Sequence, residues 1–157
     1  MTVNFIVIGK LKEDYLRSAC SEYIKRLSRY CTFELHELDE YRLSENPSAK
    51  EVENALKKEA ESIKKYSKGM IIPMCIEGRQ LSSTEFSKKI SSAGLSGFST
   101  LTFIIGSSFG LSDEVKAMGH LKLSMSEMTF PHQLARVMLL EQVYRAFQIA
   151  EGGKYHK

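Results

Sequence analysis

Apolar positions along the chain fall into blocks that switch between two periods. "VNFIVIG" from Val3 is a continuous β-branched and aromatic run closed by Gly9, the pattern of a strand buried on both faces. In the following "EDYLRSACSEYIKRLSRY", Leu16, Ala19, Cys20, Tyr23, Leu27 and Tyr30 recur at steps of three and four, with Arg17, Glu22, Lys25, Arg26 and Arg29 mostly off that stripe; this predicts an amphipathic helix. "TFELHEL" alternates more weakly as a strand, and the polar "DEYRLSENP" reads as a loop. Ser48 and Glu51 have capping-box spacing and open a second helix with the stripe Val52, Ala55, Leu56, Ile63 and Tyr66,.

The second half repeats the alternation. "GMIIPMCIEG" from Gly69 predicts a strand in which Pro73 must avoid a ladder hydrogen bond, through a bulge or at an edge,. Ser82 and Glu85 cap a short helix carrying Phe86 and Ile90,. "STLTFIIG" is the clearest strand; the loop "SSFGLS" and a helix near Asp113 to Met118 follow. "HLKLSMS", alternating Leu121, Leu123 and Met125, predicts a half-buried strand, and an uninterrupted helix is expected from Pro131 to about Ala150,. Strand and helix alternating in this way predict an α/β fold with a mostly parallel sheet flanked by helices. No internal repeat or linker divides the chain, so residues 1–157 are expected to form a single domain,.

The last helix changes the picture. Leu134, Val137, Met138, Leu139, Leu140, Val143, Tyr144, Phe147 and Ile149 cannot fit one narrow stripe. A sheet covers only one side of such a helix, so a partner subunit is expected on the other.

Composition narrows the function classes. The chain is 43% hydrophobic and 26% charged with a net charge of +3, ordinary for a globular domain. Up to Lys68 there are 13 basic and 12 acidic residues, so no basic block announces a nucleic-acid partner. No apolar run is long enough for a membrane span and "MTVNFIVIGKLKEDY" lacks leader features, so a cytoplasmic protein is expected. Cys20, Cys31 and Cys75 are odd in number and lack zinc-ligand spacing; reduced thiols and no metal are expected.

Ligands of a parallel sheet bind beyond the carboxyl ends of its strands, which selects "MCIEG", "FIIGSSFG" and "LSMSEMTFP". The Gly106 to Gly110 turn is neither G-x-G-x-x-G nor a P-loop, and a generic turn outweighs a dinucleotide site there,. No G-x-S-x-G occurs, and adjacent carboxylates such as Asp113 and Glu114 read as helix-starting charges,. His132, at the start of the last helix, and Arg136, one turn later, form a basic pair that opposes the helix dipole and points to an anionic or polar ligand,. The ending "GGKYHK" reads from composition as a frayed terminus,.

Several stretches, in order and over essentially the whole chain, resemble one family. They are "VIGKLKEDY", the Gly78–Ser83 segment, "FIIGSSFGL", "LSMSEMTFPHQLARVMLLEQVYRAF" and the terminal "YHK". The chain resembles the small SPOUT methyltransferases that methylate N3 of a pseudouridine in bacterial large-subunit ribosomal RNA. The resemblance implies a SPOUT-type fold with a C-terminal trefoil knot, which the periodicity does not show. It also implies a homodimer acting on the assembled ribosome, with S-adenosyl-L-methionine as cofactor and no metal. Carried over by position, Met74, Gly106, Met125, Ser126, Glu127, Met128, Thr129 and Phe130 would bind the cofactor. His156 or Tyr155 would handle the N3 proton if the tail folds over the site, with Gly152 and Gly153 as hinge; Arg136 or His132 would orient the nucleotide,. The family more often has Gly-Gly where this chain has Gly106-Ser107, and an Arg near the tail where it has Glu151. A non-catalytic RNA- or ribosome-binding protein of the same fold, and another nucleotide-binding α/β enzyme, are the competing expectations.

Overall fold

A computed structural model describes residues 1–155, and among them five strands alternate with five helices. The strands are β1 (Thr2–Ile8), β2 (Thr32–Leu38), β3 (Met70–Gln80), β4 (Thr100–Ile105) and β5 (Leu123–Ser124). They form one sheet in the order β2-β1-β4-β3-β5, and every pairing is parallel. The helices are α1 (Asp14–Leu27), α2 (Ala49–Tyr66), α3 (Ser83–Leu95), α4 (Asp113–Ala117) and α5 (His132–Ala150).

β1 lies inside the sheet, in register with both neighbours from Thr2↔Thr32 and Thr2↔Thr100 onward. Its side chains alternate between two cores, as a strand's period of two requires. Val3, Phe5 and Val7 pack with Cys20 and Leu27 of α1, Phe86 and Ile90 of α3, and Leu139, Leu140 and Val143 of α5. Ile6 and Ile8 turn to the opposite face and meet Ala60 and Ile63 of α2, Leu111, and Val115 of α4. Three helices therefore cover one face and two the other, which explains the absence of polar alternation in β1. β2, at an edge with one neighbour, is only half-buried.

The helix starts use side chains to satisfy backbone N–H groups that the first turn leaves free. Ser48 accepts from Glu51 N, and Ser82 and Glu85 make the full reciprocal capping box. Pro131 precedes α5 as its N-cap, one position before the helix, and its carbonyl accepts from Ala135 N.

One sequence expectation narrows and another changes. Of the two ways expected for Pro73 to avoid a ladder bond, the edge position is not used: it pairs with Ile104 inside the sheet, one residue before the register shift that starts at Met74. Its other flank faces Gly119, where a Cβ would fall 2.6 Å from the Pro73 ring. A close-packed backbone there replaces the ladder bond that Pro cannot donate. The strand expected over "HLKLSMS" shrinks to Leu123–Ser124. His120 occupies the flank of β3 instead: its N donates to Ile71 O at 2.8 Å and its Nδ1 accepts from Ile71 N at 3.0 Å. β3 then bulges around Leu123, with the pairing register shifting between Met74 and Arg79. Gly78 allows that approach, since a Cβ would lie 2.7 Å from the Leu123 carbonyl carbon,.

Candidate functional site

The three strand ends picked out by the sheet rule converge on one cleft of about 670 Å³, within the usual range for small-molecule sites. Met74 to Glu77 of β3 form one wall, the Ile105–Leu111 turn another, and Met125, Ser126 and Met128 to His132 a third.

Local geometry holds both loops in shape. In the turn after β4, Gly110 N donates to Ser107 O at 2.9 Å, with Gly110 at φ +79°, a conformation natural to glycine,. A Cβ on Gly106 would sit 2.3 Å from Gly110 O, so only glycine lets the turn fold back on itself. In the loop before α5, Ser124 Oγ donates to Ser126 O at 3.0 Å and Met128 N to Ser126 Oγ at 3.0 Å. Gln133 Oε1 accepts from Lys12 N at 3.1 Å, fastening the first turn of α5 to the segment after β1.

The cleft is apolar with little uncompensated charge. Ile105, Leu111, Met125 and Phe130 contribute hydrocarbon surface. Glu77 is paired with Lys116 at 2.5 Å, and that bond holds its carboxyl below the usual carboxylate range. Burial, helped by Glu77, pushes the Cys75 thiol up; it remains protonated and is a poor nucleophile. Among the described residues no group of three His, Cys, Asp or Glu side chains could hold a metal ion. Such a site suits a ligand held by apolar walls and backbone N–H and C=O groups.

Met74, Gly106, Met125, Ser126, Met128, Thr129, Phe130 and His132 all line this cleft. Glu127 belongs to the same loop but is exposed and outside the lining. Arg136 is directed elsewhere: it is 2% exposed, Nη1 donates to Glu37 at 2.7 Å and Nη2 to Gly9 O at 2.9 Å. The expected basic pair is therefore split, with His132 at the cleft and Arg136 pinning α5 to the ends of β1 and β2.

Tyr155 lies against α5, edge-on to Tyr144 at 5.1 Å and beneath the Arg145 guanidinium at 4.7 Å, with its hydroxyl 3.3 Å from Glu141. Burial, with Tyr23 and Glu141 nearby, pushes its phenol up, so it is a proton donor and not a base at neutral pH,. His156 lies outside the described residues. Sequence reasoning missed Ile76, Phe109, Leu111 and the Glu77–Lys116 pair. Phe109 alone carried a signal, as an aromatic in a strand-end turn; the ion pair joins residues 39 positions apart.

A second groove, of about 530 Å³, runs between α1, α3 and α5 and is lined by Tyr23, Phe86, Val137, Met138 and Glu141. It shares Leu123, Ser124 and Met125 with the cleft.

Comparison with known proteins follows the same outline. Residues 1–156 match the family described as "Predicted SPOUT methyltransferase". "Ribosomal RNA large subunit methyltransferase H" of Clostridium acetobutylicum is 48% identical, with both chains covered in full. "Ribosomal RNA large subunit methyltransferase H 1" of Clostridium perfringens is 49% identical, again over the full length of both. Among solved structures, a "probable methylase family protein" from Haemophilus influenzae superposes with a TM-score of 0.55 at 14% identity, over 99% of this chain and 70% of that one; this likeness concerns the fold.

Proposed function

This chain belongs to the SPOUT methyltransferase family, and on that premise we propose that it methylates large-subunit ribosomal RNA at N3 of a pseudouridine, using S-adenosylmethionine held in the cleft beyond β3 and β4. The observation that carries the reading is the convergence of Met74, the Gly106 turn and the Met125–Phe130 loop on one apolar cleft, beside relatives that carry the name of a ribosomal RNA methyltransferase over their full length.

When bound, the cofactor supplies an electrophilic methyl group, so the chain's own task is positioning and proton removal. Ile105, Leu111, Met125 and Phe130 exclude water from the reacting centre, and the backbone groups of the two loops give direction to a ligand,. Phe109, 48% exposed at the tip of the turn, presents a ring on which a base can stack,. His132 lines the same cleft, and in this reading it orients the nucleotide. Tyr155, with its phenol held protonated, serves as a hydrogen-bond donor or stacking surface, which leaves His156 for the N3 proton,.

Within one protomer Tyr155 packs on the middle of α5. A homodimer seated in the α1–α3–α5 groove covers the half-buried face of α5, and because that groove shares Met125 with the cleft, it sets the second copy against the cofactor loop,. Two subunits then present RNA with twice the modest charge of one chain. Ribosomal RNA as substrate places the protein in the cytoplasm, and among the described residues no helix is long and apolar enough to cross a membrane.

Calorimetric titration with S-adenosylmethionine tests the cofactor assignment. A cofactor concentration 100 times Kd stabilises the native state by about 2.7 kcal/mol, and an absent thermal shift contradicts the reading. A chain ending at Gly153 is expected to keep cofactor binding and lose methyl transfer; full activity of that chain removes the tail from the mechanism.

A further inference from the structure

Among the described residues that line the cleft, Glu77 is the one carboxylate and Lys116 the one lysine or arginine, and Lys116 Nζ donates to Glu77 Oε1 at 2.5 Å. They reach this contact from separate elements. Glu77 belongs to the stretch of β3 between Met74 and Arg79, where the pairing register shifts and the strand bulges around Leu123. Lys116 belongs to α4, which is seated in the core by the buried Val115 and started by Ser112 Oγ accepting from Val115 N at 3.2 Å. Well-packed backbone therefore fixes both charges at the cleft wall.

Stability does not account for the pair. The Glu77 side chain is 57% exposed and that of Lys116 22%, and an ion pair in that setting contributes little to the fold because water and salt screen it. Its bonding capacity is also far from used. Among the described residues the Lys116 ammonium makes one hydrogen bond, to Glu77, and its other N–H groups are left for a further acceptor. The bond with Lys116 holds the Glu77 carboxyl below the usual carboxylate range, so it stands as an anion at neutral pH,.

The cofactor assigned to this cleft carries a matching pair of charges. Its adenosine half suits apolar walls and backbone groups, but its amino-acid end bears an α-carboxylate and an α-ammonium, which are costly to leave against hydrocarbon. His132 stands on a separate wall, at the start of α5, and an imidazole offers nothing to an ammonium and a carboxylate together. Only the ion pair presents both signs side by side.

We propose that Glu77 and Lys116 bind the amino-acid end of the cofactor, the Lys116 ammonium receiving the α-carboxylate and the Glu77 carboxylate the α-ammonium. The charges then alternate in sign, so the pair keeps its own bond while each member gains another. This rests on the functional reading above. It also gives the cofactor a direction, with the amino-acid end between β3 and α4 and the adenosine towards the Gly106 turn and the Met125–Phe130 loop.

Calorimetric titration of the full-length protein with S-adenosylhomocysteine and with methylthioadenosine tests the proposal, since the second ligand keeps the adenosine and the sulfur and lacks the amino acid. Wild type is expected to bind S-adenosylhomocysteine the more tightly; equal affinity for the two overturns the inference. Lys116→Met and Glu77→Gln, measured at a temperature where melting curves show each folded, are each expected to raise the S-adenosylhomocysteine Kd about tenfold while the methylthioadenosine Kd stays within about twofold. A purely structural pair would weaken both ligands alike, and that result overturns the inference, as does an unchanged S-adenosylhomocysteine Kd in either variant. Should Lys116→Met not fold, Glu77→Gln alone decides by the same comparison. A wild-type chain that binds neither S-adenosylhomocysteine nor S-adenosylmethionine overturns the functional reading itself, a result distinct from any change in preference between the two ligands.

Discussion

The Arg136 guanidinium lies 2.7 Å from the Glu37 carboxylate, which joins the second turn of α5 to the end of β2 across 99 residues of sequence. Its second nitrogen holds Gly9 O at 2.9 Å, so one buried cation ties the helix behind the cofactor loop to two strand ends. Removing the partner of a buried charge leaves that charge uncompensated. Glu37→Gln is therefore expected to cost about 3 kcal/mol of stability, read from the urea midpoint. It is also expected to weaken cofactor binding less than it weakens the fold. A midpoint unchanged from wild type contradicts this structural role.

Gly106 faces Gly110 O so closely that no side chain fits. Gly106→Ala is expected to lose about 1–3 kcal/mol through overpacking and to abolish measurable S-adenosylmethionine binding, because the turn opens to admit the methyl group. Calorimetric titration of folded protein checks it; retained affinity would show that the turn does not shape the site.

Met138 lines the groove between α1, α3 and α5. Met138→Glu places a charge on the face assigned to a second copy, an arrangement that opposes association. Sedimentation is expected to give a dimer for wild type and a monomer for the variant, with methyl transfer lost in the monomer. A monomeric wild type contradicts the assigned interface.

The capping box at α3 makes a pH prediction. Hydrogen bonds from Ser82, backbone first and then hydroxyl, hold the Glu85 carboxyl below its ordinary value of 4.5. A carboxyl lowered on folding contributes stability above its unfolded pKa and loses that contribution as pH falls through the lowered folded value. Wild-type stability should therefore decline from about pH 4.5 downward. The slope is expected to be shallower in Glu85→Gln. Parallel acid limbs in the two proteins contradict the role of this box.

Much of the fold was legible because its determinants are local. The apolar run of β1, the Ser48 and Ser82 caps and the punctuating glycines each act within a few residues, and the alternation of strand and helix followed from them. Around β5 the sequence pattern overstates the strand, because alternation describes burial, and Leu121, Leu123 and Met125 do alternate toward the core; only a neighbour with free ladder groups makes a strand, and His120 takes those groups from Ile71. Pro73 is explained by Gly119, a relationship across 46 residues that no spacing rule reaches.

The site divides in the same way. The rule of strand ends found the three segments that meet in the cleft, and the family resemblance selected residues within them. A spacing of four groups Arg136 with His132, since it puts residues on neighbouring parts of a helix surface. The deciding fact is Glu37, which draws the guanidinium to the opposite side.

The most direct test of the whole account is methyl transfer itself. Ribosomes lacking the modification, incubated with the protein and S-adenosylmethionine labelled in its methyl group, are digested and the labelled nucleoside is mapped by mass spectrometry. The account predicts one labelled pseudouridine in large-subunit RNA, modified at N3, and no label with Gly106→Ala; label on a ribose, or on no RNA at all, would contradict it.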